Sequence, residues 1–184
     1  MKYSTNPLTQ ETYEIPEGFE DANNIENFLK RNTGKKVVVV QGLGFVGAVM
    51  SLVCANALTE EYAVIGVDLA NEKTYWKIKS INDGVFPLLA DDPKITQFFD
   101  NAKEKGNFFA TYDPAAYKFA DVIIVDINLD VHKSSDEYGS LENFDVDLTA
   151  FKLAIKSICQ NCKEDVLILI ETTNLAILYL IYLV

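Results

Sequence analysis

The sequence predicts an α/β fold: a Rossmann-like, doubly wound parallel sheet forming a single domain. Three features carry that expectation. Short β-branched or apolar runs alternate with helical stretches from residue 35 to about residue 170. The first run leads straight into a glycine-rich turn and an apolar helical stretch. The second run ends on an aspartate. Alternation of this kind belongs to open parallel sheets with helices on both faces.

The elements follow in order. Residues 1–34 are polar and acidic, with Pro7, Pro16 and Gly18, and form an N-terminal extension. Within it, residues 24–31 place Ile25, Phe28 and Leu29 at helical spacing. Four valines at 37–40 suit a strand buried on both faces. Residues 48–58 read as an apolar helix and 62–67 as a second strand. A helix through Trp76 and Ile78 ends near Gly84, and another covers 93–104 with Ile95, Phe98 and Phe99 inward. Residues 108–111 form a short strand and 122–127 a strong one. The stretch 134–143 reads as a polar loop, 146–159 as a helix and 166–170 as the last strand. Neither an internal repeat nor a low-complexity tract is visible.

Residues 174–184 break the pattern, because ten of them, 175–184, are consecutively apolar. A membrane helix needs about 20 such residues. Extending the window back to residue 166 brings in Glu171, and a central carboxylate costs about 2.5–3.5 kcal/mol on insertion scales. A further buried element, a foreign tail and a membrane anchor all stay open, and no membrane is the expectation.

Composition narrows the function classes. The 184 residues are 49% apolar, enough for a core, and 27 acidic against 16 basic residues give a net charge of −11. That balance excludes a general nucleic-acid backbone binder, which depends on clustered Lys and Arg. A single nucleotide needs only a local site. Residues 1–20 contain no apolar signal segment, and Cys54, Cys159 and Cys162 make no disulfide framework, so a cytoplasmic setting is expected.

The chemistry lies in residues 42–47, Gly-Leu-Gly-Phe-Val-Gly. In a dinucleotide-binding turn Gly42 permits the bend, Gly44 lets a pyrophosphate reach the backbone, and Gly47 allows close helix–strand packing. The helix N-terminus that follows then offers free N–H groups and a positive dipole end, and Phe45 and Val46 of the loop are counted as cofactor-binding with the glycines. Asp68 follows Gly47 by 21 residues, at the end of the second strand, where a carboxylate accepts from adenosine ribose hydroxyls and repels a 2′-phosphate. The cofactor expectation is therefore NAD. Lys73 is a candidate for the adenosine end or a phosphate, and equally a solvated helix lysine. Residues 159–162 read Cys-Gln-Asn-Cys at a helix end, the wrong end for a lowered thiol pKa, with no second pair to complete a zinc site, so no metal is expected. His132, the only histidine, follows the fourth strand without an evident carboxylate partner.

Several segments occur together in a telling order: the glycine loop, Gly66-Val67-Asp68, Ile81-Asn82-Asp83-Gly84 with Pro87, Ala120-Asp121-Val122-Ile123-Ile124, and Glu171-Thr172-Thr173. Over residues 35–173 this set resembles the N-terminal NAD-binding domain of the nucleotide-sugar dehydrogenases, the UDP-glucose, GDP-mannose and UDP-N-acetylmannosamine group. The resemblance implies a nucleotide-sugar partner and oxidation of its C6 alcohol to a carboxylate with two NAD, through a thioester on a cysteine, in making polysaccharide precursors. It also implies that Thr173 helps place the water that attacks the thioester. Two stretches depart from the family pattern. Ile127-Asn128-Leu129-Asp130 stands where Val-Pro-Thr-Pro is usual, and Asn174-Leu175-Ala176-Ile177 where Val-Pro-Pro-Gly-Thr is usual. The dimerising and sugar-binding domains, with the catalytic cysteine, have no counterpart in these 184 residues. The resemblance thus implies an NAD-binding half, inactive alone; the alternative is a nucleotide-binding or interaction module without catalysis.

Overall fold

The computed structural model describes residues 1–138 and 140–172. Thr173 and the apolar stretch 174–184 lie outside the described residues, so the expectations placed on them concern residues with no structural account.

Five parallel strands form the central sheet: β3 (Lys36–Gln41), β4 (Tyr62–Val67), β5 (Phe108–Thr111), β6 (Val122–Val125) and β9 (Leu167–Ile170). Their spatial order is β5-β4-β3-β6-β9, which is the Rossmann order with its direction reversing between β3 and β6. Strand alternation sorts the core into two layers. Val37, Val39, Ile65, Ile123 and Val125 face one side; Val38, Val40, Val64 and Ile124 face the other. This two-sided burial is why the runs are apolar throughout rather than alternating with polar residues.

Helices α2 (Phe45–Ala55), α3 (Tyr75–Asn82) and α4 (Pro93–Lys105) supply the second layer. Asp92 caps α4 by accepting from the Lys94 N–H, Pro93 sits in its first turn, and Gly106 ends it in the left-handed conformation. On the opposite face, α5 (Thr149–Asn161) contributes Phe151 and Ile158, and a 3₁₀ turn (Pro114–Phe119) contributes Ala116 and Tyr117.

The same face is completed from the N-terminal extension. Helix α1 (Ala22–Arg31) buries Ile25 and Phe28, and the Phe28 ring stacks on Phe109 of β5 at 5.5 Å between centroids. Ahead of it, β1 (Tyr3–Thr5) and β2 (Thr12–Glu14) form a hairpin that the sequence pattern does not announce. Its buried Ser4 does what Thr74 does not. The Ser4 hydroxyl accepts from the Trp76 N–H at 3.0 Å in the first turn of α3 and donates to the Glu72 carbonyl at 2.9 Å. Helix α3 is thus capped by a residue from the far end of the chain.

The outer strand β5 is closed by a side chain. The Asn82 amide donates to the Ala110 carbonyl at 2.8 Å and accepts from the Ala110 N–H at 2.9 Å, filling the place of a neighbouring strand.

Two expectations are revised. The stretch read as a polar loop is a hairpin of β7 (Asp130–Ser135) and β8 (Leu141–Asp147), paired antiparallel with an irregularity at Ser134/Ser135. Asp136 nucleates its turn by accepting from the Tyr138 and Ser140 N–H groups. The last helix consequently starts at Thr149 rather than at 146, since Val146 and Asp147 pair in β8. Polar residues filled the hairpin's alternating positions and hid its period of two. Among the described residues no helix is long and apolar enough to cross a membrane.

Candidate dinucleotide site

The sheet's carboxyl edge opens where its strand order reverses, the place where ligands bind in open α/β sheets. A cavity of about 410 Å³ lies there, lined by Gly42, Gly44, Asp68 and Asp126 among others. That size falls within the usual range for small-molecule sites.

The glycine loop is anchored by Leu43. Its side chain is fully buried against Gly66, where an added Cβ would stand 2.6 Å from a Leu43 methyl. Gly42 has φ +100°, and a Cβ there would lie 2.0 Å from the Asp126 carbonyl oxygen. Its absent side chain serves the close approach of β6 as well as the turn. At Gly47 a Cβ would meet the Gly42 carbonyl oxygen at 2.0 Å, so this glycine lets the loop fold onto its own helix. Gly44 differs. It has ordinary dihedrals at the N-cap of α2, and a Cβ there would meet nothing within 4 Å. Open space at that position is what an approaching pyrophosphate requires. Phe45 and Val46 follow, half exposed, with their N–H groups in the first helical turn, where no intrahelical acceptor exists.

Asp68 ends β4 beside the loop. One carboxylate oxygen accepts from the Leu43 N–H at 3.0 Å and the other from the Leu69 N–H at 2.7 Å. A carboxylate offers about four lone-pair positions, so acceptor capacity remains toward the cavity. Burial pushes its pKa up, against the pull of these two N–H groups and the Lys77 charge.

The structure sets Lys77, not Lys73, on the cavity wall. The Lys77 ammonium donates to the Leu43 carbonyl at 3.3 Å, while Lys73 enters a turn through its N–H to Asn71. Lys77 lies four residues beyond the sequence candidate, inside α3, whereas Lys73 precedes that helix.

Three further residues escaped it. Gln41, buried at the end of β3, accepts from the Tyr117 hydroxyl, whose pKa burial raises strongly. Tyr112 lines the cavity past β5. Asp126 brings a carboxylate to the N-terminus of α2, beside Gly47; burial raises its pKa against the pull of the Gly47 backbone, and the Glu171 charge adds to the rise. Only Asp126 had a visible signal, an acid inside an apolar strand end. His132 belongs to β7. Cys159 is exposed at the C-terminal end of α5, Cys162 follows it, and the Cys54 thiol is pushed up by burial. Among the described residues no cluster of three metal-ligating side chains occurs.

Residues 35–176 match the NAD-binding domain model of the UDP-glucose/GDP-mannose dehydrogenase family. No curated protein matches the chain in sequence. Among solved structures, the NDP-N-acetyl-D-galactosaminuronic acid dehydrogenase of Methanosarcina mazei Go1 is similar, with TM-score 0.63 and 22% identity, over 82% of this chain and 30% of that one. The UDP-D-ManNAc dehydrogenase of Pyrococcus horikoshii gives TM-score 0.58 and 23% identity, over 74% and 28%. The GDP-mannose dehydrogenase of Pseudomonas aeruginosa gives 0.56 and 24%, over 75% and 28%. At these identities the likeness speaks for the fold, and this chain spans about 30% of the length of those structures.

Proposed function

The chain belongs to the UDP-glucose/GDP-mannose dehydrogenase family through its NAD-binding domain, and from that premise we propose that its carboxyl-edge cavity holds NAD. Gly42, Gly44, Phe45, Val46 and Gly47 take the pyrophosphate, Asp68 the adenosine ribose, and Lys77 on the cavity wall supplies a cation. Lys73 keeps only a peripheral role. The observation that carries this reading is Gly44: open space at a helix N-terminus, in the same cavity as a strand-end carboxylate with acceptor capacity to spare.

NAD is the preferred form. A 2′-phosphate set a few ångströms from Asp68 costs on the order of 1–4 kcal/mol in a partly solvated site. Bound NAD supplies the hydride acceptor; the chain's residues bind and orient it. We further propose that residues 35–173 form the NAD-binding unit of a nucleotide-sugar 6-dehydrogenase making polysaccharide precursors in the cytoplasm, with 1–34 as an extension that completes its core. Thr173 is the candidate for positioning water in that complete enzyme. Hydride transfer also requires a sugar held in line and a base for its hydroxyl proton, and the second oxidation requires a thiolate. The thiols here do not meet that need, since burial raises the pKa of the half-buried Cys54, and Cys159 and Cys162 sit at the C-terminal end of a helix, where the dipole does not activate them.

Calorimetric titration tests the reading. The 184-residue chain is expected to bind NAD more tightly than NADP, with Asp68→Ala weakening NAD and narrowing the preference. No NADH is expected from UDP-glucose, GDP-mannose or UDP-N-acetylmannosamine. Equal affinity for the two cofactors, or an Asp68→Ala variant binding NAD unchanged, rejects the assignment of Asp68. Sustained NADH formation that Gly44→Val abolishes would reveal a complete active site.

A further inference from the structure

The family match begins at residue 35, yet the cavity is also lined by Phe19 of the preceding extension. We infer that Phe19 forms one wall of the adenine subsite, so that the extension is part of the cofactor site; this rests on the NAD reading above.

The placement of Phe19 is built rather than incidental. Residue 21 is clipped to the turn after β5 by two hydrogen bonds: the Asp21 N–H donates to the Asp113 carboxylate at 3.2 Å, and the Thr111 hydroxyl donates to the Asp21 carboxylate. Asp21, Thr111 and Asp113 are all buried, so these contacts are shielded from water. Upstream, Ser4 ties the hairpin to α3. Phe19 is therefore held between two fixed points, just before the clip.

Its side chain is nonetheless 70% exposed, and Leu69, which lines the same cavity next to Asp68, is 62% exposed. Tyr112 completes the group, its ring fixed edge-on against Tyr75 at 5.6 Å. Large apolar side chains held in place but left open to water gain by covering a flat apolar surface. The geometry names the occupant. With the pyrophosphate at Gly44 and the ribose at Asp68, the base attached to that ribose lies on the side of Asp68 away from the glycine loop. Strand β5 lies on that side of β4, and the turn after it carries Tyr112 and Pro114, to which the Asp21–Asp113 contact brings the segment of Phe19. Adenine is flat, neutral and stacks readily on aromatic rings, which suits a cavity lined by an exposed phenyl ring and a leucine.

The test uses the full 184-residue chain, with NAD and AMP as probes. Loss of a single stacking face is expected to weaken both probes about tenfold in Phe19→Ala, and the melting temperature without ligand is expected to stay unchanged, since the ring is largely exposed. Phe19→Trp is expected to retain affinity and to show fluorescence quenching on AMP addition from the introduced indole, read as the difference from the parent. Parent-like NAD affinity in Phe19→Ala would overturn the inference while leaving the NAD reading intact. So would NAD binding weakened with AMP binding unaffected, which would put the ring at the wrong end of the cofactor. A parent chain that binds neither NAD nor AMP would overturn both.

Discussion

The glycines of the loop divide into those the fold needs and the one the ligand needs, and alanine substitutions separate them. Gly42→Ala forces an L-residue to φ +100°, a strain of about 1–3 kcal/mol. Its Cβ would stand 2.0 Å from the Asp126 carbonyl oxygen, more than 1 Å inside contact distance, so the end of β6 must recede. Two bonds flank that point, the Gly42 N–H to the Val67 carbonyl and the Asp126 N–H to the Gln41 carbonyl, both 2.8 Å. Weakening one of them adds about 1 kcal/mol. The total is about 3 kcal/mol, equivalent to a fall in Tm of roughly 6–12 °C for a domain of this size. Gly44→Ala meets no atom within 4 Å. The roughly 0.5–1 kcal/mol lost in replacing Gly by Ala at the N-cap is largely offset by the reduced freedom of the unfolded chain, so Tm is expected to stay within about 2 °C. Its NAD affinity is expected to fall about tenfold to a hundredfold, because a methyl group then holds the pyrophosphate off the backbone donors. Thermal melts and calorimetry on the two variants provide the test. If Gly44→Ala melts as low as Gly42→Ala, or binds NAD like the parent, the division is wrong.

The other predictions concern charge and the core. Asp126→Asn keeps the shape of the side chain beside Gly47 and removes a negative charge from the pyrophosphate's end of α2, so NAD is expected to bind about fivefold more tightly at neutral pH, for about 1 kcal/mol of relieved repulsion. Because the folded-state pKa of Asp126 is raised, the protonated carboxyl favours folding below the ordinary carboxylate range, near pH 4, and that contribution is lost as pH rises through the folded value. The stability gain of Asp126→Asn over the parent should therefore be absent in acid and grow toward neutrality; urea melts showing a constant gap would contradict this. Phe28→Ala removes a ring that is 1% exposed and is expected to cost about 3–5 kcal/mol, and a loss under 1 kcal/mol would mean that α1 does not belong to the core.

Legibility followed sequence distance. The five core strands, the loop 42–47 and Asp68 could be read because each is written in local spacing: a run of four valines, three glycines in six residues, an acid at a strand end. The loop's internal division could not. Gly42 is constrained by Asp126 and Gly47 by Gly42, contacts made only when β3 and β6 lie side by side. Ser4 acts 72 residues away, on Trp76, and no periodicity marks a serine as the cap of someone else's helix. Phe19 reads as a stray aromatic in a polar stretch until the buried carboxylates of Asp21 and Asp113 bring that stretch against the turn after β5. Lys77 and Lys73 look interchangeable in one dimension, and only the path of the chain into α3 distinguishes them.

The side-chain amide of Asn82 has a consequence for association. By taking both hydrogen-bonding groups of Ala110, it leaves an approaching backbone nothing to pair with at the middle of the β5 edge. The opposite border, β9, carries Leu167 and Leu169 with their side chains well exposed. Among the described residues, β5 is thus a blocked border and β9 one without a neighbouring strand, so any extension of this sheet has a built-in polarity. Stacking of copies through successive β5-to-β9 contacts, the route to an endless ribbon, is interrupted by a single asparagine.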